Sequence, residues 1–300
     1  MSETLPGLAE EVYAALFEKD APRRAQARER LAAHRGPHDS VVMGLAGGMR
    51  GNDDCRLRAI EALQALGPRA ASASAALAQL VATDPQLSIR VAAAHARACV
   101  DPAEALDPAP FAMALVLGER DERHDAIALL GSLGPVAAPA IPLLVKVCES
   151  DDLVARQQAT LALSRIGIDA LAAVLKCRAV SSRRHAVLLL DRRHGELSRA
   201  VPLLVSALAD KDADVRRAAA VALGRCGAWA RCAIPSLQHA MRDRDGEVRW
   251  WSALAAATMG VSTRDVVTGL LEARDRAPVD LRDRATGLLS RMGWAALAAA

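Results

Sequence analysis

Aromatic residues are scarce in this 300-residue chain, with one Tyr, two Phe and four Trp amounting to 2% of it. The apolar share is nevertheless 52% and consists mostly of Ala, Leu and Val. That composition suits closely packed helices better than sheets, which favour aromatic and β-branched residues. Cysteine is sparse and dispersed: Cys55, Cys99, Cys148, Cys177, Cys226 and Cys232 include no C-x-x-C pair. A disulfide framework and a thiolate zinc site are therefore unsupported, and the six read as reduced, mostly small apolar residues of a cytoplasmic protein. No run approaches the roughly 18 to 20 apolar residues of a membrane helix, and the acidic start MSETLPGLAEEVYAALFEKD is not a secretory signal. The sequence also lacks H-E-x-x-H, G-x-S-x-G, a P-loop and a dinucleotide fingerprint. These absences point away from an enzyme and imply no metal or cofactor.

Charge of either sign is close to balanced, the formal net charge being +3. That is too little for a nucleic-acid footprint. The balance hides an asymmetry, because 21 Lys and Arg stand against 13 Asp and Glu from Lys176 onward, and 17 against 22 before it. Such a gradient can steer an acidic partner to one end of a molecule.

What is present is a repeat. Arginine recurs at Arg56, Arg90, Arg123, Arg156, Arg184, Arg216, Arg249 and Arg282, in steps of 34, 33, 33, 28, 32, 33 and 33 residues. Eleven residues after it stand Gly67, Gly134, Gly167, Gly195, Gly227, Gly260 and Gly293, with Asp101 in the second repeat. Glycine there is what a left-handed helix C-cap selects. Two residues before the arginine, Asp54, Ser88, Asp121, Ser182, Asp214 and Asp280 are expected as N-caps. Three residues after it the side chain is small (Ala59, Ala93, Ala126, Ala159, Ala219, Ser252, Ala285), except for Val187. Offsets of 3, 6, 7 and 10 fall on one stripe of a 3.6-residue helix, so this second helix of each hairpin has an apolar inner face.

The first helix is visible in AIPLLVKV (140–147), AVPLLVSAL (200–208) and AIPSLQHAM (233–241), where Pro142, Pro202 and Pro235 are expected in the first turn. Each of these helices runs into an acidic turn. The chain is thus expected to be all-α, an α-α superhelix of nine hairpins forming one domain over residues 1–300. The hairpins span about 8–36, 40–67, 68–101, 107–134, 138–167, 168–195, 198–227, 230–260 and 263–293, the first being degenerate and the sixth short.

The pattern xxPxLxxxLxDxDxxVRxxAAxALGxxG, cleanest in 200–227 and 233–260, resembles short HEAT repeats of the phycobilin-lyase-like kind. The resemblance covers roughly residues 40–293. It implies stacked hairpins with first helices convex and second helices concave, and a surface for a protein or peptide partner. It also implies that the arginine column ties neighbouring repeats, with Arg216 expected on Asp212 and Arg249 on Asp245. Deoxyhypusine hydroxylases share such repeats, but the His-Glu pairs of their iron sites are missing here.

Two positions break the columns. Trp250 and Trp251 occupy places that elsewhere hold mixed polar residues, so they either fill a gap between repeats or anchor a partner. Arg217, Arg284 and His185 lie in the same columns, His185 alongside His124. Trp250, Trp251, Arg217, His185 and Arg284 are therefore the candidate partner-binding residues, on the grounds that Trp and Arg are enriched at interface hot spots. Trp229 and Trp294 follow a terminal glycine and are expected to cover seams between repeats, and the tail WAALAAA either to cap the array or to contact another chain. Two other readings stay open. A HEAT-like alkylpurine DNA glycosylase would use Trp250, Trp251 and Asp283, and a phycobilin-lyase-like accessory protein would place Cys226 and Cys232 near its ligand. The charge leaves nucleic acid the weaker partner, and nothing suggests a membrane.

Overall fold

The structure, a computed structural model, describes residues 5–33, 39–104 and 106–293. Among them there is no strand, and the chain runs through helical hairpins joined by short turns. Its contacts divide it into two compact blocks, Met1–Val147 and Cys148–Ala300. The first holds α1 (Leu5–Phe17), α2 (Ala21–Ala33), α3 (Asp39–Gly48), α4 (Asp53–Leu66), α5 (Ser74–Thr83), α6 (Leu87–Val100), α7 (Ala109–Leu117), α8 (Arg120–Ser132) and α9 (Ile141–Val147). The second holds α10 (Leu153–Ile166), α11 (Ile168–Val174), α12 (Val180–Asp191), α13 (Leu197–Ala207), α14 (Ala213–Cys226), α15 (Ile234–Ala240), α16 (Gly246–Thr258), α17 (Arg264–Arg276) and α18 (Val279–Arg291).

The second helices begin earlier than the sequence columns suggest. Asn52, Asp152, Asp212 and Asp245, each four residues before the anchor arginine, are the N-caps whose side chains accept from amides of the first turn. Residues two before the arginine, such as Asp54 and Asp214, are already helical. The cap must precede the amides it satisfies by two or three positions, and only the earlier column does so.

That shift changes what the arginine does. Arg216 reaches back past its own cap, Nη1 donating to the carbonyls of Asp210 (2.9 Å) and Lys211 (3.1 Å). Its Nε and Nη2 then grip both oxygens of Asp243 in the next repeat, at 2.7 and 2.8 Å. Asp212 and Asp245 are occupied as caps, so the expected pairs Arg216–Asp212 and Arg249–Asp245 do not form. Arg249 likewise holds the Asp243 carbonyl (2.9 Å) and crosses to Glu272 (2.6 Å). In the N-terminal block Arg56 makes the same crossing to the buried Asp84, at 3.2 Å.

In the short repeat the anchor is Arg183 and not Arg184. Arg183 is buried, donates to the carbonyls of Cys177 and Arg178, and forks onto Asp210 at 2.7 and 2.9 Å. Arg184 is exposed. With the register moved by one, the small column becomes Ala186, fully buried, in place of Val187. Gly195 then leaves the glycine column, and it has no positive φ, unlike Gly67, Gly134, Gly227, Gly260 and Gly293.

The inner face follows the expected stripe. Ala59, Leu63, Ala159, Leu163, Ala219, Leu223, Ala285 and Leu289 are all buried. Small residues let helices close up, as at Gly269 of α17, where a Cβ would stand 2.7 Å from that of Ala253 on α16. Two expectations fail. Pro142 and Pro235 sit second in α9 and α15, but α13 starts at Leu197, which leaves Pro202 inside the helix. The helices α9 and α15 follow a seven-residue 3-10 turn (Gly134–Ala140, Gly227–Ala233), whereas α13 follows one of three residues, His194–Glu196. Trp229 is 79% exposed and covers no seam. Trp294 and the tail WAALAAA lie outside the described residues.

Candidate functional site

In the C-terminal block the second helices pack side by side in the order α10, α12, α14, α16, α18. A stack in register places equivalent positions at equal heights, so columns of the alignment become rows on the surface. With Arg183 as anchor, the row one residue on reads Gln157, Arg184, Arg217, Trp250 and Asp283. The next reads Gln158, His185, Ala218, Trp251 and Arg284. His185 therefore belongs to the row of Trp251 and Arg284, with Ala218 between it and Trp251, and not to the column of His124, which is one position earlier in its own repeat.

Trp251 and Arg284 are brought together, the guanidinium lying 5.7 Å from the ring centroid. Both tryptophans are half-buried against the cluster that includes Val266, Val267, Leu270 and Leu281 of α17 and α18. Gly246 makes room for Trp250, since a Cβ there would stand 3.3 Å from its ring. The tryptophans thus fill a gap between repeats on one side and keep a face toward solvent on the other. Arg217 is less free than its column implies: it pairs with Asp214 at 2.7 Å and with Glu247 across to α16. His185 on α12 is half-buried, and its Nδ1 has no hydrogen-bond partner. Burial and the nearby Arg192 both hold its pKa below the ordinary histidine value. The five candidates therefore form one tight contact, Trp251 with Arg284, and otherwise share a layer without converging.

The same layer in the N-terminal block is different in character. Between α4, α6 and α8 lies a cavity of about 430 Å³ with an apolar floor that includes Leu57, Ile60, Val91 and Leu129. His95 forms part of its wall, 2% exposed, with Nε2 2.7 Å from the Ser132 hydroxyl. Sequence columns pass over His95 because one histidine on an apolar face carries no spacing signal. Burial pushes its pKa down to about 4. A base depressed in the folded state stabilises fully above its unfolded pKa, about 6.5, and loses that contribution as pH falls toward 4. Urea melts of wild type and His95→Gln between pH 7 and 4 check this. Wild type is expected to lose more stability than the variant across that window.

Cys148, Cys177 and Cys226 are buried, and burial raises their thiol pKa values, that of Cys177 to about 12. Cys226 and Cys232 are both free, and only Cys232 is exposed. No group of three or more His, Cys, Asp or Glu side chains among the described residues is placed to hold a metal ion. No helix among them is long and apolar enough to cross a membrane.

A family model described as HEAT repeats matches residues 202–290. No curated protein matches. Among solved structures, the complex of CpcE and CpcF of phycocyanin lyase from Nostoc sp. is 22% identical with a TM-score of 0.39, covering 50% of this chain and 98% of that one. Human deoxyhypusine hydroxylase is 19% identical with a TM-score of 0.34, over 85% of this chain and 96% of that one. The karyopherin Kap121p bound to the extreme C-terminus of the phosphatase Cdc14p is 12% identical with a TM-score of 0.49, over 96% and 38%. The arginine crossing to the next repeat, the small column and the glycine stop are sharpest in the segment that the family model matches. Over residues 202–290 this chain is an array of HEAT repeats.

Proposed function

We propose that the chain is a non-enzymatic scaffold that holds a protein or peptide partner on the layer of second helices, the concave side in HEAT stacking. The observation that carries this reading is the alignment of outward-facing side chains from α10 to α18 at matching heights. Such rows offer an extended, shallow surface with repeated spacing, which suits a chain-like partner better than a small molecule. The half-exposed Trp251 with Arg284 above it supplies the kind of anchor that interfaces favour. The anchor arginines support the same reading over a phosphate-binding one, because Arg183 and Arg216 are buried and forked onto Asp210 and Asp243.

A photo-crosslinking amino acid placed at Arg184, Asp283 or, on the first helix α15, His239 tests the proposal in lysate of the source cells. All three positions are exposed, so the probe itself disturbs little. Partner adducts are expected from positions 184 and 283 and none from 239. Adducts from position 239 alone would overturn the assignment to the second-helix layer.

A further inference from the structure

Five of the seven exposed large apolar residues described in the C-terminal block lie on two neighbouring helices, α10 and α12, with Trp229 and Val279 standing apart. Leu153 and Leu161 are 49% and 40% exposed, and Val180 and Leu188 are 37% and 44%. With the register set by Arg183, Leu153 lies level with Val180 and Leu161 with Leu188. Between these apolar rows runs Gln157 with Arg184, and beyond them Arg165 with Arg192. All eight side chains are exposed. On each helix the positions follow at steps of four, so they form one outward stripe. α14 continues the motif with Ala213, Arg217, Val221 and Arg225, and α16 ends it with Gly246, Trp250, Leu254 and Thr258.

The charges on this stripe are not balanced. Arg225 is tied to the buried Asp191, and Arg217 to Asp214 and Glu247. Among the described residues, Arg165, Arg184 and Arg192 have no ion pair. A second copy of the same face would set these guanidinium groups against their like, which disfavours self-association here. An apolar patch crossed by unpaired arginines is complementary to apolar side chains interleaved with carboxylates.

The spacing narrows the partner. Positions eight apart on a helix are separated by about 12 Å, and packed helices stand about 8–10 Å apart. A partner helix lying along α10 and α12 would meet both apolar rows with side chains two turns apart, and would face Arg184 with the turn between. We infer that α10 and α12 form a docking site for an acidic amphipathic helix, with large aliphatic residues seven or eight apart and Glu or Asp between them. This rests on the scaffold reading above and adds the chemistry and the place of the partner. The shortened repeat sets the spacing: α11 begins directly after Gly167, without the seven-residue 3-10 turn that precedes α9 and α15, so α12 follows α10 after 27 residues and repeats its surface pattern in step.

Three fluorescein-labelled helical peptides of about 18 residues test it by anisotropy against the full chain. One carries Leu two turns apart with Glu between, one replaces Glu by Lys, and one replaces Leu by Ser. The Glu–Leu peptide is expected to bind, more weakly as salt rises, and the other two at least about tenfold more weakly. Leu161→Glu/Leu188→Glu and Arg184→Glu/Arg192→Glu should each cost the Glu–Leu peptide about tenfold or more. Val116→Glu, an exposed position of α7, should cost nothing. Circular dichroism of each variant, with crosslinking of the peptide from position 157 in the otherwise unaltered chain, keeps loss of binding apart from loss of fold. Equal or tighter binding of the Lys peptide overturns the acidic class, and binding indifferent to the α10–α12 variants overturns the place. Binding of no peptide overturns the inference as a whole. In each of these cases the scaffold reading still stands or falls on the position-184 and position-283 adducts from lysate.

Discussion

Replacing Arg216 with alanine is expected to destabilise the C-terminal block by about 3–5 kcal/mol, the range for removing one partner of a buried ion pair. The guanidinium makes four bonds, two to the backbone of its own turn and two to Asp243. Its side chain is 7% exposed and that of Asp243 is 13% exposed, so water cannot readily replace what is lost. The pair also sets a pH dependence. Burial alone would raise the Asp243 pKa, but the Arg216 bonds and the Asp245 amide outweigh it and hold the carboxyl below its ordinary value. Asp210, facing Arg183, is held down in the same way. A carboxyl depressed by folding stabilises above its unfolded pKa, near 4, and that stability is lost as pH falls through the lower folded value. Urea denaturation should therefore show wild type weakening below about pH 4, with a shallower slope in Arg216→Ala. A double-mutant cycle of Arg216→Ala with Asp243→Ala is expected to show strong coupling, and additivity would mean that the fork contributes nothing.

Phe111→Ala is expected to cost a similar amount, about 3–5 kcal/mol, in the N-terminal block. Phe111 is fully buried in α7, one of two phenylalanines in a chain whose core is otherwise built mostly from Ala, Leu, Ile and Val. Small aliphatic neighbours on rigid helices cannot swing in to fill the space of a lost ring, so the cavity persists. Repeat stacks distribute stability between neighbours, so damage should stay local. Hydrogen exchange is the suitable readout: protection should fall in α5 to α8 and hold in α14 and α16. A uniform loss across all helices would contradict that locality.

The hairpins, the small column and the glycine stops were legible in the sequence because each obeys a short-range rule. A C-cap needs positive φ, and a close helix crossing needs a missing side chain. The N-cap and the arginine's partner were less legible for related reasons. Asp212, Asp214, Asp243 and Asp245 are chemically equivalent in sequence, and only geometry decides which caps, which is helical and which is forked. Proximity in sequence favoured Asp212, whereas a guanidinium reaching back beyond the helix start meets the following repeat instead. Adjacent arginines at 183 and 184 hid the register of the short repeat in the same way. One is buried and one exposed, and a column one residue late conceals that Leu161 and Leu188 stand level. Trp250 and Trp251 stand out in the sequence as breaks in the pattern, but their half-buried state depends on Gly246 and on α17 and α18, which no local rule conveys.

At Arg183 and Arg216 the arginine fork joins one repeat to its successor, and this has a consequence for how such a chain can change length. The run from Lys211 to Asp243 is one full period, and excising it would leave Arg183 on Asp210, followed at once by Arg244, Asp245 and the rest of the next second helix. Duplicating the same run would supply one further arginine together with its own acceptor. Because Arg183 and Arg216 each meet an acceptor 27 residues on, this whole period can be lost or gained without orphaning a buried charge, whereas a partial period would strand one. The bond that stiffens the stack is thus also what makes it a chain of interchangeable parts.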